Sequence, residues 1–251
     1  MKTHAVPGPR ASSCAVRRAA ALVCSALLLG CASAPGASPQ DPFEHYNRAM
    51  AGFNERVDEA VLRPAATLYR DATPQPVRSG VRNFFANLGD AWSLVNNLLQ
   101  LRGREAFDSL VRFNVNTVFG LGGVLDIASE MGIERHKQDF GLTLGRWGVP
   151  AGPYVVLPLL GPSTVRDSAA LPVDWWGDGV RQFSPVSARN SLVGLRAVDR
   201  RANLLGATEV LDNAALDRYL LTRDLYLGAR SGTSGRLGDP SGDAGRLPDD
   251  Y

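Results

Sequence analysis

The chain has 251 residues, with 27 Lys and Arg against 25 Asp and Glu and a formal net charge of +2. That near-balance provides no basic footprint for a phosphate backbone, so nucleic acid is excluded as a partner class. A hydrophobic content of 45% in a chain of this length suits one good-sized domain with a real core.

The first thirty residues carry Lys2, Arg10, Arg17 and Arg18 and no acid, then the apolar run Ala19–Leu29. A basic start, a short apolar stretch and a small residue make a secretory signal over residues 1–30. The run is too short for a membrane span, which needs about 20 residues. Leu28-Leu29-Gly30-Cys31 resembles a bacterial lipobox, which implies acylation of Cys31 as the new N-terminus. Cys14 and Cys24 would leave with the signal, so no disulfide remains possible. Ala32 and Ser33 follow Cys31 without an acid, and by resemblance to enterobacterial sorting this points to the outer membrane. Removing thirty residues from 251 leaves 221, and removing four bases takes the charge from +2 to −2. A slightly acidic chain lacks a polybasic patch, so contact with membrane should be apolar.

Residues 31–40 read as a flexible tether, small and turn-rich. Residues 230–251 offer almost nothing to bury and read as a disordered tail, leaving 41–229 as the folded domain. The domain opens with Asp41-Pro42-Phe43-Glu44, where Asp41 is expected to cap a helix and Glu44 to reach back. Phe43, Tyr46, Met50, Phe53 and Val57 then mark one apolar face. Pro64 should kink or restart this helix, and Pro74 and Pro76 should close the section.

Val77–Leu101 predicts a long helix with Val81, Phe84, Phe85, Leu88, Trp92, Val95 and Leu99 on one side. Asn83, Asn87, Asp90 and Asn97 fall on the other. A further helix should run from Gly103 to about Phe119 and stop at Gly120-Leu121-Gly122-Gly123. Residues 132–163 show no helical period and predict an irregular loop or a small hairpin around Tyr154-Val155-Val156-Leu157. Helical pattern returns at about Ser163–Leu171, Ser187–Leu205 and Ala214–Leu227. Strand signals are too few for a large sheet, so the fold class is mainly α.

Enzyme motifs are scarce: there is no G-x-S-x-G, H-E-x-x-H, C-x-x-C or P-loop, and Gly120-x-Gly122-Gly123 lacks the third glycine of a dinucleotide fingerprint. His136 near Asp139 and His45 beside Glu44 could each be half of an acid–base pair or metal site. A solvated histidine at a polar edge is the commoner outcome, so no catalytic residue, metal ligand or cofactor is assigned. The asparagines Asn83, Asn87, Asn96, Asn97, Asn114 and Asn116 admit two readings. They either form an uncharged polar wall for a lipid headgroup or bond backbone and one another at buried turns, the second being favoured.

Five blocks in order then resemble one family. They are Asp41-Pro42-Phe43-Glu44 with Asn47-Arg48, Phe53-Asn54 and Arg63-Pro64; Val77-Arg78 through Asn87-Leu88; and Asn97-Leu98-Leu99-Gln100. Arg112-Phe113-x-x-Asn116-Thr117 leading to Gly120-Leu121-Gly122-Gly123-x-x-Asp126 is the fourth, and Asp139-Phe140-Gly141 through Arg166-Asp167 the fifth. Behind a lipobox, this order is similar to the MlaA/VacJ family of outer-membrane phospholipid-transport lipoproteins over residues 41 to about 210. Ala91, Leu101-Arg102 and Leu142 depart from the family pattern, the first suggesting a straighter helix.

The resemblance implies a single domain of amphipathic helices forming a ring around a central channel, embedded from the periplasmic side of the outer membrane. It implies phospholipid as cargo, a porin trimer and a soluble periplasmic lipid carrier as partners, no catalysis and no cofactor. A structural lipoprotein that braces porins without transport is the alternative. The helices within Phe43–Val57, Val77–Leu101 and Ser187–Leu205 are expected in or near the membrane plane.

The uncharged run Trp147–Val165 is nearly as apolar as a span, yet its prolines exclude a helix. Irregular backbone is tolerated at membrane depth only against protein or a water-filled cavity, which places the run at the channel. Trp147, Pro153, Tyr154, Leu157 and Pro158, with Gly120, Gly122 and Gly123, are the expected lipid contacts. A rigid loop filling the core beneath the helices is the competing reading of the same run.

Overall fold

A computed structural model describes residues 41–233. The signal, the tether with Cys31 and residues 234–251 of the tail lie outside the described residues. Helix α1 spans Glu44–Val57 and α2 spans Arg63–Ala72, joined without a break by a π-helical turn over Asp58–Leu62. Pro64 explains that turn. Its missing N–H and its ring conflict with the carbonyl four residues back, and a widened turn relieves the clash without ending the helix.

Asp41 does not cap α1. Phe43 occupies the N-cap without a side-chain bond, Glu44 pairs with Arg48 at 2.7 Å, and Asp41 is buried and accepts from Asn47 at 2.8 Å. Pro74 and Pro76 do not close the section but open the next helix, Pro74 as N-cap and Pro76 in the first turn of α3, Gln75–Leu99. Helix α4, Gly103–Val118, returns along α3, and the short α5, Ile127–Glu130, packs on α4.

Residues 132–163 hold one element that periodicity missed. Helix α6, Phe140–Arg146, is capped by Asp139, whose carboxylate accepts from Leu142 N–H at 2.8 Å. It is too short and too glycine-rich for a helical period, with Gly141, Leu142, Thr143 and Gly145 all buried. The hairpin does form: β1, Tyr154–Leu157, pairs antiparallel with β2, Gly161–Thr164, from Tyr154 opposite Thr164 to Leu157 opposite Gly161. Thr164 then caps α7, Val165–Gly177, and a 3₁₀ turn at Gly179–Gln182 leads to α8, Val186–Ala214, and α9, Arg218–Thr233. The chain is mainly helical with one two-stranded sheet.

These elements close a circuit. Helix α1 packs on β1, β2 on α7, α7 on α6, α6 on α3, α3 on α8 and α8 on α2, which the π turn joins back to α1. Helix α9 packs on β2, and α4 backs α3.

Inside and outside are exchanged relative to an ordinary water-soluble domain. Among the described residues nine apolar residues are buried, five of them alanine, against nineteen polar or charged ones. The buried residues of α3 are Gly80, Asn87, Asp90, Ser93, Asn96 and Asn97. The polar face of that helix is therefore its inner face, and Val77, Val95, Leu98 and Leu99 stand exposed. An apolar surface of this extent marks a membrane or partner contact.

A polar frame and the candidate lipid-contacting segments

Burying amides and charges is tolerable only when they are paired, and here they are wired into a frame. Arg112, 1% exposed in its side chain, sits at the centre of one end. Its guanidinium donates to both oxygens of Asp126 at 2.9 and 3.0 Å and lies 3.5 Å from Asp90, and it also donates to the carbonyl of Ile133. Arg135 bridges Asp90 at 3.1 Å and Asp126 at 3.4 Å. Asn116 and Ser129 donate to Asp126 at 2.9 and 2.7 Å.

The two carboxylates respond oppositely. Burial pushes Asp90 above the usual carboxylate range despite Arg135 and Arg112 beside it. Burial also works on Asp126, but the hydrogen bonds from Ser129 and Asn116 and the two guanidinium charges outweigh it and hold Asp126 low.

Further along α3, Asn97 donates to Ser109 at 3.2 Å and to the His136 carbonyl at 3.3 Å. Gln100 donates to Gln138 and Thr143 at 3.0 Å each, and Thr143 donates to Asn96 at 2.8 Å. Asn83 donates to the Val124 carbonyl and Asn87 to Thr117. The asparagines bond backbone, as in the favoured reading, but their side-chain partners are Thr117, Ser109, Thr143 and Asp126 and not one another. His136 is not a solvated edge residue paired with Asp139. It is buried, 2.9 Å from Asp108, while His45 is exposed.

The hairpin is held by two asparagines one heptad apart on α1. Asn47 donates to Tyr154 O at 3.1 Å and accepts from Val156 N–H at 2.8 Å; Asn54 donates to Leu157 O at 2.9 Å and accepts from Leu159 N–H at 2.7 Å. Each amide supplies one donor and one acceptor, as a neighbouring strand would, so the free edge of β1 is satisfied by a helix. On its other side, Arg230 on α9 donates to Asp139 at 2.6 Å and Asp167 at 2.8 Å, and Tyr226 donates to Asp167 at 2.9 Å. Arg230 was expected in the tail; α9 carries the fold to Thr233 instead.

The expected lipid contacts divide. Gly120 and Gly123 are buried turn residues. A β-carbon on Gly120 would lie 2.3 Å from Leu125 O, and one on Gly123, at φ 95°, 2.6 Å from Asn87 Nδ2. Gly122 is exposed, between the apolar tips of this turn. Trp147 is half-exposed, its indole N–H on the Leu99 carbonyl at 3.0 Å, and Pro158 is exposed, with Pro153 and Leu157 half-buried. Tyr154 is a correction: at 1% exposure, edge-on to Tyr219 and Tyr226 with centroids at 6.2 Å each, it is a packing residue that presents no surface to lipid. Burial pushes its hydroxyl up to about 12.

The two segments do not converge. Gly123 meets α3 at Asn87 and Trp147 meets it at Leu99, about 18 Å apart along the helix at 1.5 Å per residue. What the residue pattern alone did not reveal is the Arg112 centre, although one signal was present: a lone arginine between Val111 and Phe113 in an apolar stripe needs buried acids.

Comparison with known proteins accords with this architecture. A family model described as MlaA lipoprotein matches residues 39–232. The chain is 36% identical over 224 residues to the intermembrane phospholipid transport system lipoprotein MlaA of Escherichia coli K12, covering 84% of this chain and 86% of that one. It is 36% identical over 222 residues to the protein of the same description in Haemophilus influenzae, covering 82% and 85%. A solved chain from work on the structural basis for maintenance of bacterial outer membrane lipid asymmetry superposes with a TM-score of 0.65 at 33% identity, over 77% of this chain and 98% of that one. On the match across residues 39–232 and these relatives, the chain belongs to the MlaA lipoprotein family.

Proposed function

We propose that this protein is the outer-membrane lipoprotein of an intermembrane phospholipid transport system. Acylated at Cys31 and seated in the inner leaflet from the periplasmic side against a porin trimer, it takes phospholipids mislocalised in the outer leaflet and passes them to a soluble periplasmic carrier. Lipid asymmetry is maintained as a result. Transport of this kind breaks no covalent bond.

The single observation that carries the reading is the exchanged polarity of the fold: amides and ion pairs inside, leucines, valines and aromatics outside. A two-chain phospholipid exposes on the order of 25–30 methylenes, each worth about 0.8 kcal/mol out of water. Such a molecule needs a continuous apolar route with a polar path for its headgroup. A closed circuit of helices with apolar outer faces seats in acyl chains and keeps its paired polar groups away from them. No described helix is long and apolar enough to cross a membrane, which suits seating in one leaflet.

The test places photocrosslinking groups at Gly122 and Trp147 in cells. Phospholipid adducts at both, together with excess outer-leaflet phospholipid on deletion of the gene, are expected. Porin binding with neither lipid effect would replace transport by a bracing role.

A further inference from the structure

Among the described residues, three non-glycine positions adopt the left-handed backbone region, and all three are exposed leucines. Leu101 has φ 59° and is 79% exposed, Leu121 has φ 55° and 73%, and Leu159 has φ 62° and 67%. Each sits at the tip of a turn: after α3, after α4 and between β1 and β2.

The fold contains its own control for two of them. Leu101 and Leu121 close helices by a six-residue bond, Arg102 N–H to Asn97 O at 2.9 Å and Gly122 N–H to Thr117 O at 3.0 Å. The same closure recurs after α5 and α6, through Ile133 N–H to Ala128 O and Val149 N–H to Leu144 O, both at 3.0 Å. There the left-handed residues are Gly132 and Gly148, at φ 72° and 95°. Glycine is the usual residue at this position because a β-carbon is penalised there, and asparagine is the usual substitute. A leucine pointing into water would gain nothing to offset that penalty. Something apolar outside the protein must receive it.

We propose that Leu101, Leu121 and Leu159 insert into the hydrocarbon of the bilayer as three spaced anchoring points; this rests on the membrane seating proposed above. Each has apolar exposed neighbours: Leu98 and Leu99, Phe119, and Leu160. Leu101 and Leu121 stand beyond opposite ends of α4, whose sixteen residues span about 24 Å. One leaflet holds about 15 Å of hydrocarbon, half of a core of about 30 Å. Both tips share one leaflet only if the α3–α4 hairpin lies along the membrane plane.

The experiment uses the full acylated chain in vesicles of phosphatidylethanolamine and phosphatidylglycerol. Single cysteines replacing Leu101, Leu121 or Leu159 carry an environment-sensitive fluorophore. Quenching by lipids spin-labelled in the acyl chain, with protection from aqueous iodide, is expected at all three. Iodide quenching without acyl-chain quenching overturns the proposal. A Cys31→Ala chain that still floats with vesicles while the labels face water sinks this inference alone; one that does not float sinks the membrane seating as well. Independently, Leu101→Gly with Leu121→Gly should lower vesicle retention of the Cys31→Ala chain by roughly tenfold or more, with the melting temperature unchanged or raised. A lowered melting temperature with retention intact would assign both leucines to protein packing and overturn the proposal.

Discussion

Two buried charge centres in this molecule have the same composition and different tasks. One joins Arg112 and Arg135 to Asp90 and Asp126; the other joins Arg166 and Arg230 to Asp139 and Asp167. The first lies within residues 90–135 and locks α3, α4 and α5 into a local unit. The second ties residues separated by 91 positions, fastening α9 to the segment before α6 and to α7. Equal charge counts therefore serve a local frame in one case and the closure of the chain in the other. The mutational responses should differ accordingly.

The largest effect is expected at Arg112. Arg112→Met strands Asp90 and Asp126 with only Arg135 between them and should cost about 3–5 kcal/mol, read by denaturant unfolding in detergent. Because the centre is local, protection of α3 and α4 amides from hydrogen exchange should fall together. Asp167→Asn should cost less, about 2–3 kcal/mol, since the amide keeps an acceptor for Arg230 or Tyr226. Its exchange signature should be confined to α9 and its neighbours. Loss of α3–α4 protection in Asp167→Asn would show that the two centres are one cooperative unit. Ending the chain at Ala229 removes Arg230 alone from the second centre, and about 1–3 kcal/mol is expected. A cut there without effect would restore the domain boundary that composition suggests.

That boundary illustrates what the sequence makes legible. Helices with apolar stripes are readable because period and capping residues act locally: Gln75–Leu99 and Gly103–Val118 lie within two residues of expectation, whereas the longest, Val186–Ala214, runs on past the expected end at Leu205. The hairpin was readable as one of two options. Helix α6 was not, because Gly141 and Gly145 remove the period and burial on all sides removes amphipathicity. The end of α9 was missed because Arg230 resembles the tail in composition and is held by partners 63 and 91 residues away. Direction was the deeper difficulty. Periodicity separates the faces of α3 but does not say that Asn87 and Asp90 point inward, since that depends on the medium outside. At the candidate site, the apolar turns are legible as apolar, while the burial of Tyr154 is not, because it depends on Tyr219 and Tyr226 far along the chain.

The smallest and most discriminating contrast between the centres is their dependence on pH. Asp167 is held low: burial is outweighed by Arg230 and Arg166 and by the hydrogen bond from Tyr226. Its contribution is therefore present above the unfolded carboxylate value of about 3.9 and is lost as pH falls through its lower folded value. Asp90 is raised, burial outweighing Arg135 and Arg112. Its contribution is present below about 3.9 and is lost as pH rises through the higher folded value. Removing the titration by Asp90→Asn should thus improve the variant relative to the parent as pH rises from mildly acidic to neutral, whatever the fixed cost of the amide beside two arginines. Asp167→Asn should show no such gain, and its deficit should shrink in acid. Melting both variants beside the parent across that range reads the two slopes directly. An Asp90→Asn deficit that grows with pH would mean that the two guanidinium groups overcome the burial of Asp90, making the two centres electrostatically alike.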